Sequence, residues 1–182
     1  MKKYDAIIIG SGQAGTPLAF KFASHNKKVA FIEKEHFGGT CLNEGCTPTK
    51  AYVASARRMY DAMNGDPLGI SIPQGAKARL DKIRQRKDDL ISNSVKGLTT
   101  ALENNRNIDV FRGMASFGSS KKVIINGQEI EGDKIFINTG ARARIPEGFE
   151  GVDFLTNKEI LELDEIPDHL MIVGGSYIGL EF

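Results

Sequence analysis

Apolar positions in the first third of the chain change period twice. Ala6 to Ile9 is a short unbroken apolar run, which predicts a buried strand. Ala14, Leu18, Ala19, Phe22 and Ala23 then recur at helical spacing, with Pro17 suited to the first turn. Val29 to Ile32 predicts a second buried strand, closed by Glu33. Ala51, Val53, Ala54, Ala56, Met59, Tyr60 and Met63 read as another helix, and residues 65–75 as a connection broken by glycine and proline. Leu80, Ile83, Leu90, Ile91, Val95, Leu98 and Leu102 predict one long amphipathic helix over about 78–105. Its apolar stripe reads as core or interface, and its basic run, Lys82 to Lys87, as a solvated face.

From Ile108 the pattern shortens. Segments 108–117, 121–126, 128–131 and 134–140 predict short strands, the middle pair joined by a turn at Asn126-Gly127. The chain loosens through Gly140, Pro146, Gly148 and Gly151, then gives a short helical piece within 156–170 ending before Pro167. Leu170 to Val173 predicts a last strand, followed by a second glycine turn, Gly174 to Gly179. The fold class is α/β: a parallel sheet with helices, Rossmann-like, plus a small antiparallel meander. A closing strand and turn with no helix behind them cannot bury a face, so the chain reads as cut at the start of a second such domain.

Composition narrows the function. Of 182 residues 41% are hydrophobic and 26% charged, enough to bury a core. Lysine plus arginine number 24 against 23 acids, so the basic excess of a nucleic-acid protein is missing. No apolar run approaches the roughly 20 residues of a membrane helix, and the start lacks a secretory core. A soluble, cytoplasmic protein without nucleic-acid or membrane partners is expected.

Chemistry concentrates in two places. Gly10, Gly12 and Gly15 form GxGxxG directly after the first strand, and Glu33 ends the second strand about 20 residues on. Gly10 allows the tight turn, Gly12 the approach of a pyrophosphate, and Gly15 the packing of helix on strand. Helix N-terminal N–H groups favour the phosphates, and Glu33 can accept from ribose hydroxyls rather than meet a 2′-phosphate. Cys41 and Cys46 lie in GGTCLNEGCTPTK. Zinc wants four ligands, and only His36 is near, so redox chemistry is favoured and no metal site is expected. Cys46 falls at or just before the start of a helix, where the dipole suits an anionic sulfur.

Two glycine turns with CxxxxC between them make a specific combination. GGTCLNEGCTPTK closely resembles the active-site signature of the class I pyridine nucleotide-disulfide oxidoreductases, which include dihydrolipoamide dehydrogenase, glutathione reductase and mercuric reductase. IFINTGAR and IVGGSYIGLEF extend the resemblance over essentially the whole chain, and GCTPTK with ASA looks most like the mercuric reductase branch.

The resemblance implies a division of the chain. Residues 1–150 would be an incomplete FAD-binding domain with the cysteine pair. Residues 151–182 would be a linker and the opening strand and turn of an NAD(P)H domain. It implies that Gly10, Gly12, Ala14, Gly15, Glu33 and Lys34 serve the nucleotide end of FAD, and that Gly39, Thr40 and Cys41 line the flavin. Ala115 would meet the adenine, and Thr139 and Gly140 another part of FAD. Cys41 would exchange with substrate, and Cys46 would lie as thiolate against the isoalloxazine in a charge-transfer complex. Lys50 would stand beside the flavin, paired with Glu181; a surface ion pair is the plainer reading of those two. Gly174, Tyr177 and Gly179 would face the nicotinamide cofactor, with Ser176 where the second turn's middle glycine belongs.

The implied activity passes electrons from NAD(P)H through FAD to the Cys41–Cys46 disulfide. They then pass to mercuric ion, another metal or a thiol-type small molecule, in a full-length homodimer. A dihydrolipoamide dehydrogenase or glutathione reductase-like enzyme is the alternative. As 182 residues alone, a nucleotide-binding module without turnover and with partial FAD retention is expected. A flavin monooxygenase would share the first turn but leaves CxxxxC without a reason.

Overall fold

The computed structural model describes residues 1–73 and 75–182; position 74, inside the expected 65–75 connection, lies outside the described residues. The chain forms two compact units, one of residues 1–43 and 92–142, the other of residues 44–91 and 143–182.

The first unit holds the sheet. Strands β1 (Lys2–Ile9), β2 (Val29–Glu33), β3 (Ile108–Arg112), β4 (Ala115–Ser119), β5 (Lys122–Ile125) and β6 (Gln128–Ile137) lie in the order β3-β2-β1-β6-β5-β4. β1 runs parallel to β2 and β6, and β2 parallel to β3. β4, β5 and β6 are antiparallel neighbours. Helix α1 (Gly15–Ser24) crosses from β1 to β2, the connection a parallel pair requires.

Alternation along the strands divides the core into two layers. Ile8, Val29 and Phe31 pack with Ala19, Ala23, Phe37 and Leu102 on one side. Ile7, Ala30 and Ile32 pack with Tyr4, Val123, Ile125 and Ile130 on the other. These central strands are apolar on both faces because both faces are covered.

Two boundaries differ from the sequence reading. Segment 108–117, expected as one strand, forms two, β3 and the start of β4. Segments 128–131 and 134–137 are one strand, β6, whose start pairs with β5 while its greater length pairs with β1. Parallel sheet and meander are therefore continuous through β6. The turn after β5 has positive φ at both Asn126 (51°) and Gly127 (75°), the conformation a two-residue hairpin needs for the twist of its strands.

The second unit is mainly helical. It holds α3 (Cys46–Met63), the first part of α4 (Leu80–Glu103), single 3₁₀ turns at Asp66–Leu68 and Glu159–Glu162, and α5 (Tyr177–Glu181). The helical piece expected within 156–170 shrinks to the Glu159–Glu162 turn, with Pro167 limiting any extension. No strand forms at 170–173: Leu170, Met171, Ile172 and Val173 are exposed, and no described strand pairs with them. A single extended segment without a neighbour leaves its backbone groups to water, so its apolar pattern alone does not make it a strand.

The solvated face read from Lys82 to Lys87 is corrected at one residue. Lys87 is buried, with Nζ 3.0 Å from the Leu161 carbonyl, 2.5 Å from Glu162 and 3.0 Å from Asp88. Burial pulls its pKa down, but the bonds to Glu162 and Asp88 outweigh that and hold it above the usual lysine value. Among the described residues no helix is long and apolar enough to cross a membrane.

Candidate functional site

Backbone crowding shapes the first glycine turn. Gly10 follows β1 with φ +102°, and its N–H donates to the Ile32 carbonyl at 2.8 Å. A Cβ there would lie 2.2 Å from the Asn138 carbonyl oxygen. A Cβ on Gly15 would lie 2.1 Å from the Gly10 carbonyl oxygen, so α1 packs directly on the turn. Gly12 differs from both: a Cβ there would meet nothing within 4 Å. The turn therefore requires Gly10 and Gly15 for itself, while Gly12 keeps clear a space that the protein does not fill. Close by in the chain fold, Asn138 carries a buried amide nitrogen, Nδ2, that finds no hydrogen-bond partner among the described residues.

Glu33 is fixed from the same turn. Ser11, fully buried, donates to Glu33 Oε2 twice, from its N–H at 2.9 Å and its hydroxyl at 2.6 Å. Glu33 Oε1 accepts from the Glu35 N–H at 2.9 Å. The Ser11 hydroxyl also accepts from the Gly38 N–H at 3.1 Å, and the Thr16 hydroxyl donates to the Ser11 carbonyl at 2.7 Å. Lys34 is paired with Glu35 at 2.7 Å, and Ala14 is exposed at the start of α1.

A short helix, α2 (Gly39–Asn43), carries the first cysteine. A Cβ on Gly39 would come 2.8 Å from the Gly12 Cα, so α2 begins in contact with the glycine turn. Asn43 braces this approach, its Nδ2 donating to the carbonyls of Phe37 at 3.0 Å and Gly39 at 2.9 Å. Thr40 is exposed and Cys41 half-buried. In the second unit, Cys46 is exposed and is the first residue of α3, an 18-residue helix. Neither cysteine is in a disulfide in this structure.

Lys50 lies one turn along α3 from Cys46, on the same helix face at the i, i+4 spacing. Its Nζ is 3.1 Å from Glu181 Oε1, on α5 of the same unit. α5 follows a turn that repeats the first one's backbone. Gly174 has φ +111°, and a Cβ on Gly179 would lie 2.9 Å from the Gly174 carbonyl oxygen. Ser176 adopts φ −72° and ψ 165°, an ordinary conformation, so the missing middle glycine costs the turn no strain. Tyr177 is exposed. In the first unit, Ala115 opens β4 beside Ile125, and Thr139 and Gly140 follow β6 on the surface.

Ser11 and Asn43 are the site residues that pattern reading did not single out. Ser11 occupies a variable position of GxGxxG, and its signal was a buried-capable hydroxyl between two turn glycines facing an acid on the next strand. Asn43 had no comparable signal, since its role depends on how α2 folds back.

The first unit thus joins a parallel α/β sheet, a glycine turn with open space over its middle residue and an acid bonded into that turn, and the CxxxxC begins at its edge with Cys41. The family model for pyridine nucleotide-disulphide oxidoreductases matches residues 4–182, and the chain belongs to that family. It is 40% identical to a dihydrolipoyl dehydrogenase of Bacillus subtilis (strain 168), covering 96% of this chain and 40% of the relative. It is 37% identical to a mercuric reductase of Staphylococcus aureus, covering 98% and 33% respectively. The copper(II) complex of RclA, an HOCl-induced flavoprotein disulfide reductase from Escherichia coli, superposes with a TM-score of 0.82 at 34% identity, covering all of this chain and 39% of that one. The chain thus spans well under half the length of these relatives. Relatives in this family use FAD and NAD(P)H.

Proposed function

We propose that this chain is the FAD-binding, thiol-bearing part of an oxidoreductase that draws electrons from NAD(P)H and delivers them to an acceptor through Cys41 and Cys46. Residues 1–150 hold FAD and the cysteines; residues 151–182 are the linker and the opening turn of the nicotinamide-binding part. One observation carries the reading: α2, which bears Cys41, starts against the backbone of Gly12, the glycine with open space beside it.

The residues present suit FAD. Gly12 clears room for a pyrophosphate at the N-terminal end of α1, where the helix dipole favours an anion, and Glu33 is held ready to accept from a ribose. Ala14 and Lys34 flank that end, Ala115 serves the adenine, and Gly39, Thr40, Thr139 and Gly140 serve the rest of the cofactor. When bound, FAD supplies two-electron redox chemistry between a nicotinamide and a disulfide.

The chain's own groups do the remainder. Two electrons and two protons convert the Cys41–Cys46 disulfide into two thiols. Cys46 begins α3, at the positive end of the helix dipole, with the Lys50 cation one turn along on the same face. Glu181 restrains Lys50. Cys41 is then the thiol that meets the acceptor, a soft metal ion such as mercuric ion or a small disulfide, and Gly174, Tyr177 and Gly179 receive the nicotinamide nucleotide. Similarity to both a mercuric reductase and a dihydrolipoyl dehydrogenase supports this acceptor class.

The test is NAD(P)H oxidation by the whole protein, compared for mercuric ion, lipoamide and glutathione disulfide. Turnover with one of these that disappears in both Cys41→Ser and Cys46→Ser supports the proposal. Turnover retained in either variant overturns the cysteine roles.

A further inference from the structure

We propose that Ser11 is a positioning residue for the nucleotide end of the site, acting through Glu33; the proposal rests on the FAD reading above. Ser11 is fully buried, yet it sits between two glycines in a turn that needs no side chain to form. Its hydroxyl has one proton, and at 2.6 Å that proton goes to Glu33 Oε2 rather than to the His36 carbonyl at 3.4 Å. With the Ser11 N–H on the same oxygen, both acceptor directions of Oε2 are filled. On Oε1 the Glu35 N–H takes one direction, leaving the other open for a ligand hydroxyl. The carboxylate is therefore pinned in one rotation with its remaining acceptor fixed in space.

The same hydroxyl accepts from the Gly38 N–H, next to the Gly39 that packs on Gly12. One side chain thus joins the acid at the end of β2, the glycine turn and the start of α2. Nothing else among the hydrogen bonds described at Glu33 fixes Oε2.

The test measures binding of ADP and of 2′,3′-dideoxy-ADP to the full 182-residue chain by calorimetry. The wild type is compared with Ser11→Ala, Glu33→Gln and the double variant, alongside a wild-type titration with FAD. The wild type is expected to prefer ADP by about tenfold, the size of one hydrogen bond to a charged group. In Ser11→Ala that preference falls to within about twofold while dideoxy-ADP binding stays unchanged, and the double variant is no weaker than Glu33→Gln alone. A merely structural role would weaken both nucleotides equally. If Ser11→Ala does not fold, Ser11→Cys, which keeps the volume and weakens the donor, replaces it. A folded variant that keeps the wild-type preference overturns the Ser11 proposal and leaves the cofactor reading standing. Wild-type protein that binds neither FAD nor ADP overturns both.

Discussion

Replacing Gly12 and Gly15 by alanine separates what the glycine turn does for the fold from what it does for a ligand. At Gly15 the new methyl would lie 2.1 Å from the Gly10 carbonyl oxygen and 3.2 Å from both its carbon and Ile8 Cγ2. The oxygen belongs to the backbone, so no side-chain rotation relieves the clash, and turn and helix must separate by about 1 Å. The cost falls at the upper end of overpacking, about 3 kcal/mol, which for a chain of this size lowers the melting temperature by about 6–12 °C. At Gly12 the methyl meets nothing, and φ lies outside the left-handed region. Removing a glycine there should raise stability by about 0.4–1 kcal/mol through the unfolded chain. The same methyl would occupy the pyrophosphate's space, and about 1–3 kcal/mol of crowding weakens FAD by about 5- to 150-fold. Thermal melts of the ligand-free protein and FAD titrations of each variant give the two numbers. If Gly12→Ala binds FAD as the wild type does, or melts as low as Gly15→Ala, the assignment of that space to a pyrophosphate is wrong.

Two further predictions concern stability away from the cysteines. Burial, with the Asp109 carboxylate 2.7 Å from its hydroxyl, holds the Tyr4 pKa far above the usual tyrosine value. A raised folded-state value means this stabilisation is intact below the unfolded pKa of about 10 and is lost as pH rises through the folded one. Wild-type melting should therefore fall above about pH 10, and Tyr4→Phe should flatten that fall and remove the last phase of tyrosinate absorbance in an alkaline titration. Lys87→Met leaves the Leu161 carbonyl with the Tyr52 hydroxyl at 3.1 Å as its remaining donor and takes a partner from Glu162, and should cost about 0.5–1.5 kcal/mol in urea unfolding. An unchanged midpoint would show that the Glu159–Glu162 turn does not depend on Lys87.

Much of the first unit was legible because local rules and tertiary packing agree there. Ile7, Ile8 and Phe31 are buried on a sheet covered on both faces, and their apolar runs mark strands without competition from a helical pattern. Asn126-Gly127 marks a hairpin for a stereochemical reason that needs no distant partner. Reading failed where the outcome depended on a partner elsewhere in the chain. Leu170 to Val173 has strand composition but no described strand to pair with. Gln128–Ile137 reads as two pieces until its pairing with β1 is known. Lys87 looks like its exposed neighbours because nothing local announces that Leu161 and Glu162 will meet it, 74 and 75 residues on. At the site, the glycines, Glu33 and the cysteines carried their signals in spacing. Ser11 did not, since its importance lies in which oxygen of Glu33 it holds.

The most direct measurement is a visible absorption spectrum of the protein purified with FAD, recorded oxidised and then after reduction with a dithiol, for the wild type and Cys46→Ser. Bound flavin with a new long-wavelength shoulder on reduction, lost in Cys46→Ser, is the result predicted if FAD and the thiol pair share one site. Flavin that shows no shoulder in the wild type, a shoulder that persists without the Cys46 sulfur, or no bound flavin at all would contradict it.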